Sequence, residues 1–154
     1  MGGAYIRTDS CYAAKQWLNR NRDFFLQLEA DRRLLQVVQN RISSGVAQYE
    51  SDGSGHDSYT SLGKHEDMLG AYVELREKIE KEEIQYLSEV VRTRQAIEYL
   101  SKPVLIAIAT DRYVNSLSWQ AIEDLEHVSH SQVHRYHAEL LQEMADILPR
   151  HGFL

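Results

Sequence analysis

Proline occurs only twice in this chain of 154 residues, at Pro103 and Pro149, and that scarcity sets what the chain can fold into more than any other feature. A proline inside a helix removes a backbone donor and clashes with the preceding turn. Each of these two sits where a helical pattern changes or ends, so long helices are permitted on either side. From residue 10 to about residue 42, Trp17, Phe24, Leu28, Leu35, Val38 and Ile42 recur in steps of three, four or seven, one stripe of an amphipathic helix. Arg20, Arg22, Arg32, Arg33 and Arg41 lie off that stripe. A second helix is expected over residues 64–100, with Leu69, Tyr72, Leu75, Ile79, Tyr86, Val90, Ile97 and Leu100 on one face. Its run EKIEKEEIQ reads as a surface laced with i,i+4 charge pairs.

Residues 43–63 are rich in Ser, Gly, Asp and Thr and read as a flexible loop. Two amphipathic helices joined by such a loop cannot bury their stripes alone. They are expected to pair as an antiparallel, coiled-coil-like hairpin over residues 10–100. Asn21 and Asp31 interrupt the first stripe, Glu83 and Thr93 the second, so the register is expected to be set by them or by a further partner.

After Pro103, which suits a first helical turn, a largely buried segment runs through Val104, Leu105, Ile106, Ile108 and Ala109 to Val114, where Asn115-Ser116 breaks it. Ser118 caps a short helix, Trp119 to Glu126, with apolar positions Trp119, Ile122 and Leu125. His127-Val128 makes a turn, and Ser129 or Ser131 caps a last helix with Val133, Tyr136, Leu140, Leu141, Met144 and Ile147, ended by Pro149. The expected fold class is therefore all-α, a long hairpin followed by a three-helix unit over residues 103–148.

A short helix, a tight turn and a capped second helix make the pattern of a helix-turn-helix, whose second helix enters the DNA major groove. The exposed start of that helix must offer hydrogen-bonding side chains, and here those are Ser129, His130, Ser131, Gln132, His134 and Arg135. Glutamine can pair with adenine, arginine with guanine and serine with either. The Ser cap leaves backbone N–H groups near a phosphate.

Residues 112–144, RYVNSLSWQAIEDLEHVSHSQVHRYHAELLQEM, resemble region 4 of bacterial sigma factors and, more closely, small phage late-gene activators of the RinA/ArpU type. The residues that carry the likeness are Arg112-Tyr113, Trp119, Ile122, Ser129, Ser131, Val133-His134-Arg135 and His137. The resemblance implies transcription regulation by binding promoter or operator DNA as a duplex, with contact to host RNA polymerase. Glu123, Glu126 and His127 depart from the pattern, and Leu125 stands one position early, so the turn is expected to be distorted or repacked.

The charge balance bears on this reading. There are 17 basic and 23 acidic side chains, a net charge of −6, which argues against coating nucleic acid by bulk attraction. Residues 1–46 hold seven basic and four acidic groups, residues 104–154 three and seven. Excess base thus lies on the first helix and excess acid in the unit whose motif looks DNA-binding. Useful affinity is expected to need a homodimer through the hairpin, docking on polymerase, or a share of phosphate contacts from the N-terminal arginines. The other reading is a coiled-coil adaptor whose helix-turn-helix contacts RNA polymerase or another host protein.

His127, His130, His134 and His137 step by three or four, and an i,i+4 pair has zinc-chelate spacing. The turn near Val128 and the lack of a nearby cysteine leave no metal site and no cofactor expected. Protonation would add charge to a weakly basic helix, so a pH-sensitive patch is a hypothesis, tested by DNA affinity at fixed salt between about pH 6 and 8. No Gly-rich phosphate loop, HExxH, GxSxG or paired-carboxylate motif nominates an enzyme. Cys11 stands alone and reads as inert. With no internal disulfide possible, no run near the roughly 18 to 20 apolar residues of a membrane span and no signal-peptide core, the expected location is the cytoplasm of a bacterial host, without a membrane partner.

Overall fold

The chain is all-α. The computed structural model describes the backbone of residues 3–51 and 58–154 and the side chains of residues 9–45 and 63–154; among these are five helices and no strand. α1 spans Gly3–Ser51, α2 Ser58–Ile97, α3 Pro103–Ala109, α4 Trp119–Glu126 and α5 His130–Arg150. A π-helical turn, Thr110–Val114, continues α3. The residues form two compact units, one of the chain up to Phe25 with Tyr86–Leu154, the other of Leu26–Gln85.

Both long helices reach into the segment expected to be loop. Residues 43–51 and 58–63 are helical, and residues 52–57, the centre of that segment, lie outside the described residues. Ser43 and Ser44 are accommodated because their hydroxyls donate to the carbonyls of Gln39 and Asn40, at 3.0 and 2.9 Å, within the preceding turn. At its other end α2 stops at Ile97 rather than Leu100, tightening into i→i+3 bonds from Tyr99 and Leu100.

In the unit Leu26–Gln85, burial follows a heptad. Leu28, Asp31, Leu35, Val38 and Ile42 are buried or half-buried on α1, as are Met68, Tyr72, Leu75, Ile79 and Glu82 on α2. Steps of three and four alternate in both, the spacing that keeps one stripe facing a partner helix. Leu69, expected on the stripe, is 41% exposed, because Met68 holds the heptad position instead. The acid in the α2 stripe is likewise Glu82 rather than Glu83. Lys78 bridges Asp31 at 3.2 Å and Glu82 at 3.4 Å, while Glu83 pairs outward with Arg32 at 2.9 Å. Desolvation and the facing Asp31 push the Glu82 carboxyl above its ordinary range.

The other unit holds the larger core. Ala14, Trp17 and Leu18 of α1 and Ala96 and Ile97 of α2 belong to one apolar cluster with Leu105, Ile108, Ile122, Val133, Leu140, Met144 and Leu148. Each fully buried Leu or Ile contributes about 1.5–3 kcal/mol, so this cluster, rather than helix propensity, holds α3 to α5 in place. Pro149 does not end α5, which runs on to Arg150. The reversal follows at Gly152, whose φ of +75° is one that L side chains avoid. That turn brings Phe153 edge-on to Trp17, with ring centroids 5.8 Å apart, and its carbonyl onto the Arg92 guanidinium at 3.0 Å.

The polar interruptions Asn21 and Thr93 meet each other. The Asn21 amide donates to the Thr93 hydroxyl at 2.5 Å, and both residues are 2% exposed. Replacing Asn21 with Ala strands a buried hydroxyl and should cost about 1–3 kcal/mol in urea unfolding. The apolar pair Asn21→Leu with Thr93→Val should recover most of that loss. A single variant as stable as the parent would show that this bond does not hold the two helices in register.

Candidate nucleic-acid interface

The α4–α5 corner is built by two serine caps and one left-handed residue. The Ser118 hydroxyl accepts from Ala121 N at 3.1 Å and starts α4 at Trp119. The helix ends on His127, at φ 54° and ψ 44°, a conformation usually given to glycine and visited by histidine more than by most residues. The turn is therefore regular rather than distorted. His127 adopts the geometry without a glycine, and Val128 N donates back to the Glu123 carbonyl at 3.1 Å.

Ser129 then opens α5 with a reciprocal capping box. Its hydroxyl accepts from Gln132 N at 3.2 Å, and its own N–H donates to Gln132 Oε1 at 3.0 Å. Ile122 and Val133 are fully buried beneath the corner and Val128 packs against the same cluster, as their spacing implied. Leu125 is not part of the core: it is 57% exposed. The half-buried residue at the end of α4 is Glu126, held against Asp111 of the π turn. That facing carboxylate is the first cause, and burial the second, of a Glu126 carboxyl raised above its ordinary range.

The six residues expected to meet DNA fall into three groups. Ser129 and Gln132 are the cap; with the Gln132 carbonyl oxygen given to Ser129, only its NH2 remains to present, and a bidentate contact to adenine would first have to break the capping box. His130 and His134 form a clasp between the helices. His130 Nδ1 lies 2.7 Å from Glu123 Oε1, and the two Nε2 atoms lie 3.1 Å apart. With both rings neutral, His134 donates to His130 and His130 donates to Glu123. Ser131 and Arg135 are exposed and outward; Ser131 Oγ is 3.3 Å from the Ser129 hydroxyl, and Arg135 meets no carboxylate among the described residues.

The four histidines do not share one face. His127 lies exposed in the turn, whereas the half-buried His137 points inward, its Nε2 hydrogen-bonded to the Tyr113 hydroxyl at 2.5 Å. The His137 ring also meets Trp119 edge-on at 4.6 Å. Burial first, then the positive charges of Lys15 and Arg112, hold His137 down to about 4, so it is neutral at pH 7 and takes no part in a pH-sensitive patch there. Tyr113, 1% exposed, is raised by burial to about 12 and keeps its proton.

Arg112 is a site residue that the sequence motif contained without a role. Its guanidinium lies over the Trp119 ring, 4.4 Å from the centroid, and donates to the Leu117 carbonyl at 3.0 Å. The π turn puts it there: the bond from Asn115 N to Thr110 O, at 2.9 Å, adds a residue to the turn, and Ser116 reverses the chain at φ 57°. No periodicity in the sequence announces a π turn. The signal that was present is the pair Arg112 and Trp119, seven residues apart.

No protein-family model, curated protein or solved structure matches the chain.

The depressed His137 makes stability pH-dependent with a definite sign. The unfolded chain binds this proton near pH 6.5 and the folded chain only near 4, so the contribution is full above pH 6.5 and is lost as pH falls through that window. Between pH 7 and 5 the parent should lose about 1–2 kcal/mol more than His137→Gln in urea unfolding. Parallel losses in parent and variant would mean that His137 titrates normally in the fold.

Proposed function

We propose that this protein is a sequence-specific regulator of transcription that binds duplex DNA, of the kind its likeness to phage late-gene activators implies. α5 enters the major groove, with Arg135 and Ser131 reading base edges. The exposed NH2 of Gln132 and the first-turn N–H groups of α5 serve as further donors to bases or phosphate. The observation that carries the reading is the corner itself: a left-handed turn and a capping box set α5 on a buried core with an uncompensated arginine facing out of its second turn. His130 and His134 hold the angle between α4 and α5, and so act on DNA chiefly through the orientation of α5.

Arg135→Ala should cost about 1–3 kcal/mol at one base pair and relax the preference there, read by selection from a random duplex library followed by titration of the selected site. An unaltered footprint and affinity would sink the assignment of α5 as reader.

A second reading, the protein-binding adaptor that occupies RNA polymerase or another host factor, has its own support. In the unit Leu26–Gln85, Leu34, Val37, Val73 and Ile84 stand between 46% and 72% exposed, apolar side chains that a protein partner could cover. The same residues suit a second copy of the chain, which would double the weak contacts of a single α5. Lysate capture with DNA sequencing and mass spectrometry in parallel separates the two: enriched duplex sequence without polymerase favours direct reading, and polymerase without DNA favours the adaptor.

A further inference from the structure

The Nε2 atoms of His130 and His134 lie 3.1 Å apart at the start of α5. Two nitrogens each about 2.0–2.1 Å from one tetrahedral zinc-class ion lie about 3.3–3.4 Å apart, so a small rotation of either ring brings the pair to chelate geometry. The two residues are four apart on one helix, the spacing at which histidines of a single face share an ion. Their rings cross at 80° with centroids 4.3 Å apart. The turn near Val128 falls inside the run of four histidines, but α5 begins at His130 and carries this pair without interruption.

The pair also has the outer partner that metal-bound histidines carry. His130 Nδ1 lies 2.7 Å from Glu123 Oε1. A carboxylate on that nitrogen fixes the tautomer that turns the Nε2 lone pair outward and raises its basicity. His134 meets an ion with its own Nε2 once its proton sits on Nδ1, a change of tautomer that releases no proton. The way in is open, since the His130 side chain is 75% exposed and His134 is exposed. The positive end of α5 disfavours a cation there, and the Glu123 carboxylate offsets it. His137 and His151 offer no such pair: one is bonded to the Tyr113 hydroxyl and the other is stacked on Tyr99.

We infer that His130 and His134 chelate a divalent transition-metal ion of the zinc class, with Glu123 as outer partner. Two imidazole nitrogens select Zn2+, Co2+, Ni2+ or Cu2+ over Mg2+ and Ca2+, which take oxygen ligands. Among the described residues no group of three or more His, Cys, Asp and Glu side chains gathers to hold an ion. The chain therefore supplies two ligands and water the rest, an open and exchangeable site rather than a closed structural one. The ion spans the first turn of α5 and, through Glu123, ties that turn to α4. This goes beyond the DNA-binding reading and does not depend on it.

The test is calorimetric titration of the tag-free full chain with Zn2+ in the absence of DNA, so its failure leaves the reading of α5 as a DNA reader standing. The parent should show one saturable site per chain that Mg2+ does not compete for. His130→Gln or His134→Gln should weaken it about 100-fold, because a single imidazole loses the linked second contact. Glu123→Ala should weaken it about 10–100-fold, whereas His127→Gln and His151→Gln should match the parent. Trp119 gives a second readout: its ring centroid lies 6.0 Å from that of His134, so bound Cu2+ should quench its fluorescence in the parent and not in His134→Gln. Circular dichroism checks that each variant is folded. A parent without saturable Zn2+ binding, or a His130→Gln/His134→Gln double variant that binds as tightly as the parent, would overturn the site.

Discussion

Tyr113 and His137 meet in a hydrogen bond that joins the π turn to α5. Trp119 of α4 lies edge-on to the same imidazole and carries Arg112 on its ring. Three elements therefore converge on one neutral histidine. Both groups stay neutral at pH 7, because burial disfavours the charged form of each. A charged residue at either position would bring an unpaired charge into a core built by Leu105, Ile122, Val133 and Leu140.

With that core in place, local chemistry accounts for the corner. Two serines accept backbone N–H groups, His127 accepts a left-handed backbone, and the chain from Glu123 through His130 to His134 clasps one helix to the next. Polar side chains that look available in a list of residues are largely used here to define geometry. The proposed contacts to DNA pass instead to side chains that stand outward on α5, Arg135, which meets no carboxylate among the described residues, and the exposed Ser131. Charge is handled the same way on the long helices, where Arg20, Arg32 and Lys78 are each matched by an acid of the facing helix.

Much of this was legible in the residues. α4 begins and ends where Ser118 and Glu126 place it, and Ser129 is the cap of α5, because capping is a local bond between neighbours and needs no knowledge of the rest of the chain. The stripe of α1 was readable for the same kind of reason. The misreadings have physical causes. Leu69 yields to Met68 because the partner helix, not hydrophobicity alone, sets the phase of the stripe. Ser43 and Ser44 read as loop, yet a hydroxyl that donates back one turn is accommodated in a helix. Pro149 is taken into the last turn of α5, which ends one residue later at Arg150.

By itself the sequence determined the class, a chain of long helices followed by three shorter ones, because proline placement, apolar period and serine caps are all short-range constraints. It also determined which residue types stand at the α4–α5 corner. Tertiary structure alone decided what those residues are free to do: that Gln132 is half-spent in a cap, that His137 is half-buried and neutral, and that Glu126 faces Asp111. The reason is that charge and hydrogen-bonding capacity are consumed by whichever group lies nearest in space, and the folded core sets that distance.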